Sequence, residues 1–257
     1  MMWHTITHLL SVMLLFFMLS QTTTTANDAN KSLEAKALVA WRPYANASGH
    51  HCNWHGIACN KAGSVTNISL YGHYLGDGTG LGSLNLSSFP NLVSLRLENC
   101  SLEGSIPEQI GLLSNLTQLS LYDNRLTGNL PVSLTNLTHL EELDLSKNQL
   151  TGPIPPSYGS MLNLTVLDLS TNQLNGSIPN QITNLQNLET LNVGDNNFSG
   201  ELPVSLANLT HLEVLYLSNN KLTGPIPPSY GSMLNLTDLD FVGNFELKVP
   251  LRARKGN

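Results

Sequence analysis

The sequence predicts an α/β repeat solenoid, with short strands stacked turn upon turn into one parallel sheet. Two observations predict it. Leu92, Leu116, Leu140, Leu164, Leu188, Leu212 and Leu236 each stand 24 residues after the one before, a period that marks stacked repeats. The whole register repeats with them, as LxxLxLxxNxLxGxIPxxLxxLxx. Leu119, Leu121, Asn124, Leu126, Gly128, Leu130 and Pro131 return as Leu143, Leu145, Asn148, Leu150, Gly152, Ile154 and Pro155. Six units match closely, and a seventh from Leu236 decays.

Each part of the unit has a physical reason. In LxxLxL, Leu119 and Leu121 alternate with Gln118 and Ser120. A strand therefore points the leucines inward and the other side chains outward. The Asn that follows ends a turn shielded from water, where its amide can satisfy backbone groups. Asn124, Asn148, Asn172, Asn196, Asn220 and Asn244 are expected to form such a ladder. Gly-x-Ile/Leu-Pro is read as a turn back: Gly128 allows an unusual backbone angle and Pro131 fixes one. One unit cannot bury its own leucines, so its neighbours must cover them. Residues 131–170 return almost unchanged as 203–242, a three-unit duplication that also repeats His139 as His211.

The ends differ. Residues 1–26 read as a secretory signal peptide: LLSVMLLFFML (9–19) is apolar but too short for a bilayer, and a polar stretch follows. No Lys or Arg precedes that run, and cleavage is expected near Ala26 or Ala29. With no later apolar run of spanning length, the product is expected to be soluble and extracellular. Residues 27–64 read as an N-terminal cap, 65–247 as about seven or eight repeats, and 248–257 as a basic tail. In the cap, Ser32 to Trp41 has helical apolar spacing, and Trp41 and Trp54 are expected to pack with Leu33, Ala37 and Leu38. Cys52 and Cys59 read as a local disulfide. The rival, a metal site from His50, His51, Cys52, His55 and Cys59, matches no common zinc spacing. No metal or cofactor is expected. Cys100 stands at a ladder position and is expected to be a buried free thiol. After Asn244, Glu246 replaces the expected leucine and Leu247 is out of step, so the last turn is expected to leave apolar surface.

Composition narrows the function. With 12 basic and 18 acidic residues, net charge −6, the chain lacks the basic footprint of a nucleic-acid binder. Sequons fit an extracellular chain; Asn46, Asn67, Asn115, Asn136, Asn163, Asn175, Asn208 and Asn235 are the candidate glycosylation sites. Several of them follow from the repeated NLT step itself.

Function on a solenoid sits on the outward strand positions, here positions 2, 3, 5, 7 and 8 of each unit. Eleven of the 18 acidic residues fall there, against Arg96 and Lys147 among the bases. The candidate ligand-binding residues are Tyr122, Asp123, Glu142, Asp144, Lys147, Asp168, Asn192, Asp195, Tyr216 and Asp240. The expected partner is a peptide or protein, favoured if cationic. Catalytic residues are not expected, because an open wall gives no pocket in which a pair such as Asp144 and Asp168 could divide acid and base roles.

SLEAKALVAW, CNWHGIAC and the LxxLxLxxNxLxGxIP repeats together resemble the extracellular part of plant leucine-rich-repeat receptor-like kinases, over roughly Ser32 to Asn244. The resemblance implies a right-handed, curved superhelix with its parallel sheet on the concave face and 3-10 or irregular turns on the convex face. It implies a non-enzymatic recognition domain for peptides or co-receptors, in signalling or defence. No GxGxxG loop or HRD-like catalytic loop is present in the sequence. Arg96-x-Glu98 departs from the Arg-x-Arg pair that some members use for a peptide carboxylate. A secreted inhibitor similar to plant polygalacturonase inhibitors, and a truncated receptor fragment without independent function, are the competing readings.

Overall fold

The computed structural model describes residues 33–41, 48–75 and 78–248. The expected signal peptide, the sequon at Asn46, and residues 249–257 lie outside them.

The LxxLxL segments form one sheet. After β1 (Ile57–Cys59) come β2 (Val65–Tyr71), β3 (Ser94–Glu98), β5 (Gln118–Ser120), β7 (Glu142–Asp144), β9 (Val166–Asp168), β11 (Thr190–Asn192), β13 (Val214–Tyr216) and β15 (Asp238–Asp240), in that spatial order. β1 pairs antiparallel with β2, and the rest are parallel. Leu119, Leu143, Leu167, Leu191, Leu215 and Leu239 align in register. Ile68 aligns with Leu95, a step of 27 residues that absorbs the irregular first unit.

A second, seven-stranded sheet was not expected. It stacks β4 (Glu103–Ser105), β6 (Arg125–Asn129), β8 (Gln149–Gly152), β10 (Gln173–Gly176), β12 (Asn197–Glu201), β14 (Lys221–Pro225) and β16 (Glu246–Lys248). The segment read as a turn is thus a strand before it is a turn. Its signal was brief: one buried residue, such as Leu126, Leu150 or Phe198, between outward neighbours. The glycine that follows does turn the chain, at φ +81° for Gly128 and +78° for Gly152, where a side chain is strained. A Cβ on Gly152 would also lie 2.6 Å from Asn129.

The prolines then open 3-10 turns on the convex side, Val132–Asn136, Pro156–Ser160, Asn180–Asn184, Val204–Asn208 and Pro228–Ser232. Tyr158 and Tyr230 take the buried place held by Leu134, Ile182 and Leu206 elsewhere. Their hydroxyls donate to the carbonyls of Pro131 (3.1 Å) and Pro203 (2.9 Å), so the larger ring costs no unpaired group. Burial pushes both phenols above their usual range.

The asparagine ladder forms as expected. Asn172 accepts from the Leu150 N–H (2.9 Å) and donates to the carbonyls of Leu145 (3.0 Å) and Leu169 (3.1 Å), joining two turns. Asn124, Asn148, Asn196, Asn220 and Asn244 do the same in their turns. Cys100 takes the first rung as a buried free thiol 3.3 Å from the Glu98 carbonyl. Burial pushes its pKa up, which disfavours the thiolate form that reacts.

At the N-terminal end residues 33–40 are helical. Ala37, Leu38 and Trp41 are buried over the first turn of the core, and Trp54 packs against it partly buried. Leu33 does not join them; it is 50% exposed. The inward stripe is Glu34, Ala37, Leu38 and Trp41, spaced i, i+3, i+4, i+7, which leaves Leu33 on its flank. Glu34 is buried instead: its carboxylate accepts the Val65 N–H with both oxygens (3.2 and 3.1 Å) and lies 3.5 Å from His51 Nε2. Cys52 and Cys59 are joined as a disulfide. His50, His51 and Cys52 lie together, but the Cys52 sulfur is already bonded and cannot also serve as a thiolate ligand.

Candidate functional site: the concave wall

The outward residue at the C-terminal end of each three-residue strand builds a row across the sheet: Ser120, Asp144, Asp168, Asn192, Tyr216 and Asp240, with Arg96 in line before them. Four members of the row also close the turn behind them. Asp144 Oδ1 accepts from the Ser146 N–H (2.9 Å) and hydroxyl (2.6 Å), and Asp168 Oδ1 from those of Ser170 (2.9 and 2.7 Å). Asn192 accepts from the Gly194 N–H (3.1 Å) and Asp240 from the Val242 N–H (2.9 Å). Each carboxylate has a second oxygen left over. That of Asp168 accepts from Asn192 (3.0 Å). Burial, and then the negative charges of Asp168 and Glu98, raise the Asp144 pKa against the lowering by its Ser146 hydrogen bonds.

Asp123, Lys147 and Asp195 stand at the rim rather than on the strands. Their φ values of +56°, +52° and +53° place them in the left-handed bend that leads to the second sheet, with Asn99, Thr171 and Asn219 in the same bend. Asp195 accepts from the Asn219 amide at 2.9 Å.

Three expected binding residues, Tyr122, Lys147 and Tyr216, are engaged within the chain. The Lys147 ammonium donates to the Tyr122 hydroxyl (2.7 Å) and sits 5.0 Å from that ring's centre; this hydrogen bond raises the lysine's pKa. The Tyr216 hydroxyl donates to Asp238, which raises the phenol. Glu142 is engaged too: Arg96 reaches it at 2.5 Å while contacting Glu98 at 3.3 Å.

These contacts divide the wall. Its cations, Arg96 and Lys147, belong to the N-terminal part and are held there. Among the described residues no lysine or arginine pairs with Asp144, Asp168, Asp195 or Asp240. Exposed Glu141, Glu189 and Glu213 stand just ahead of their strands and add to the acidic part.

Sequence reasoning missed Tyr71, 68% exposed beside Glu98 in register, because the 27-residue step hid its place on the wall. It also missed a second ladder. The last residue of each unit bonds to a carbonyl 25 residues back: Asn115 to Pro90 (2.8 Å), Asn163 to Thr138 (2.7 Å), Asn187 to Leu162 (2.9 Å) and Asn235 to Thr210 (2.7 Å). His139 Nδ1 lies 3.1 Å from the Ser114 carbonyl and His211 Nδ1 2.8 Å from that of Gln186, as donors on the same rungs. The recurrence of Asn or His every 24 residues was the signal. Three candidate sequons, Asn115, Asn163 and Asn235, are therefore rungs. Asn136 and Asn208 end their 3-10 turns exposed, without such a bond among the described residues. Asn175 is exposed and Asn67 half-buried.

Models of the leucine-rich repeat match residues 90–150, 163–185, 187–209 and 211–233. The chain belongs to the leucine-rich repeat family. Its leucine-rich repeats are 37% identical to those of the Arabidopsis thaliana LRR receptor-like serine/threonine-protein kinase RGI3, over 30% of this chain and 8% of that protein. Among solved structures, the Arabidopsis receptor kinase HAESA in complex with the peptide hormone IDA and the co-receptor SERK1 is 31% identical, with a TM-score of 0.74. That match covers 86% of this chain and 38% of the HAESA chain. PEPR1–AtPEP1 is 30% identical with a TM-score of 0.70, over 84% of this chain and 32% of that one. The leucine-rich repeat chain thus spans about a third of these receptor chains and a small part of the kinases. No helix among the described residues is long and apolar enough to cross a membrane.

Proposed function

We propose that this leucine-rich repeat protein is a non-enzymatic, extracellular recognition module that holds an extended peptide, or an extended loop of a protein partner, along its concave sheet. The observation that carries the reading is the likeness over 86% of the chain to HAESA, whose solved complex contains a peptide hormone and a co-receptor. Signalling or defence, with a co-receptor as second partner, is the setting this favours.

The geometry supports it. Eight parallel strands ~4.8 Å apart make a wall of roughly 35 Å, and at ~3.3 Å per residue about ten residues of extended chain would lie along it. The acids from Asp144 to Asp240 favour a cationic ligand, with Tyr71, Tyr122 and Tyr216 as the aromatic contacts. Glycans would sit at Asn136 and Asn208 on the convex turns and at Asn175 on the second sheet, away from the concave row.

The test is a display library of ten-residue peptides selected on the purified protein. Enrichment of Lys and Arg, with competition among the selected peptides for one site, is expected. Selection of acidic peptides, or of none, would contradict the reading.

A further inference from the structure

The edge at which the chain enters the concave strands holds a cavity of about 360 Å³ in its N-terminal half. Two rows of side chains line it. Thr66, Val93 and Thr117 stand at the entries of the neighbouring strands β2, β3 and β5, and Asn91, Asn115 and His139 precede strand entries. Asn60 joins them from the turn after β1. Backbone bonds lock the entries together: the Val93 N–H donates to the Thr66 carbonyl (2.7 Å) and the Thr117 N–H to the Val93 carbonyl (2.8 Å). No acid, lysine or arginine lines the cavity. That neutrality is local. In three of the next five units the place of Val93 and Thr117 is taken by Glu141, Glu189 and Glu213, all exposed.

Internal hydrogen bonds fix what each lining side chain has left to give. The Thr66 and Thr117 hydroxyls donate to the carbonyls of Ala58 and Val93, both at 3.3 Å, which leaves their oxygens as acceptors. Asn115 donates to the Pro90 carbonyl (2.8 Å) and keeps Oδ1 and one N–H. The Ser114 carbonyl can only accept, so His139 Nδ1 carries the hydrogen and Nε2 of the neutral ring accepts. Asn60 Oδ1 already accepts from the N–H groups of Ala62 (3.0 Å) and Ser64 (3.1 Å), so its amide hydrogens remain. Val93, 37% exposed, is the apolar patch of the lining.

We propose that this cavity binds a neutral sugar, one or two rings of an oligosaccharide, at a site separate from the concave row. A sugar hydroxyl donates and accepts at once, and here acceptors and amide hydrogens stand side by side in orientations already fixed. The C–H face of a ring would lie on Val93. A charged ligand fits less well, because its charge would meet no opposite one in the lining. The volume, near the small end of the ligand-pocket range of about 300–1,000 Å³, sets the size of the ligand.

The test is NMR titration of the purified full chain with neutral disaccharides of glucose, galactose, mannose and xylose, and with digalacturonate and arginine methyl ester as charged probes. Binding of at least one neutral disaccharide, in preference to both charged probes, is expected. Thr117→Glu installs the residue that Glu141 supplies one unit on, so the fold is kept, and it should weaken the sugar at least tenfold. Val93→Glu should do the same by removing the apolar contact. Failure of every neutral disaccharide to bind would overturn the proposal, as would binding that both variants leave intact. Preference for arginine methyl ester, tightened by Thr117→Glu, would make the cavity a seat for a cationic side chain and overturn the sugar. A glycan mapped at Asn115 would fill the cavity with the chain's own carbohydrate and overturn it too. Peptide selection on the concave row reads out separately from all of these results.

Discussion

Asn172 shows what one side chain does in a stacked fold. Its amide serves a buried N–H and carbonyls in two turns, and an unserved buried group costs about 1–3 kcal/mol. Asn172→Ala should lower stability by about 3 kcal/mol or more, read as a fall in the urea midpoint. Thr171, next to it, is a β-branched residue at φ +53°, where Asn99 and Asn219 stand in other turns. Thr171→Asn should raise the midpoint by the equivalent of about 1 kcal/mol. Asp144 carries a pH signature. Its raised pKa means the folded state holds the proton more tightly than the unfolded chain, so its charge weakens the fold above that raised value. Asn192 makes the same turn bond without charge. Asp144→Asn should therefore melt higher at neutral pH, by less than about 1 kcal/mol given its partial exposure. The advantage should vanish below the ordinary aspartate value of 3.8. The buried asparagines were legible because they recur at a fixed place with one possible duty. The Lys147–Tyr122 pair was not, since it joins position 8 of one unit to position 7 of the unit before.

At the scale of the element, the concave strands were readable and the second sheet was not. LxxLxL offers two inward leucines per strand, whereas β6 to β14 offer one inward residue each before a glycine interrupts the alternation. Turn signals dominate so short a pattern. The NLT step misled in the other direction. As a sequon it reads as a sugar site, yet in Asn115-Leu-Thr117 the amide bonds back to Pro90 and the hydroxyl to Val93 (3.3 Å), stitching one strand entry to the last. Asn163→Ala should cost about 1 kcal/mol, while Asn136→Ala, which removes no bond among the described residues, should leave the melting temperature unchanged. Peptide mapping of secreted protein should find glycan at Asn136 and Asn208. The N-terminal helix was legible in extent but not in facing, because a buried glutamate competes with Leu33 for the inward stripe.

For the whole molecule, the 24-residue period sorts residues into core, ladder and wall, and the structure keeps that sorting. It changes what the wall offers. Asp144, Asp168 and Asp240 hold turns together, so reversing them would damage the scaffold along with any ligand contact. Glu141, Glu189 and Glu213 are exposed and contribute their backbone carbonyls, not their carboxylates, to the stack. The most direct measurement is calorimetric titration of a cationic ten-residue peptide from the library into wild type and into the Glu141→Lys, Glu189→Lys, Glu213→Lys triple variant, at low and high salt. If the acidic wall recruits the ligand, affinity should fall at least tenfold in the variant and its salt dependence should flatten. Equal affinity and an equal salt slope for the two proteins would contradict it.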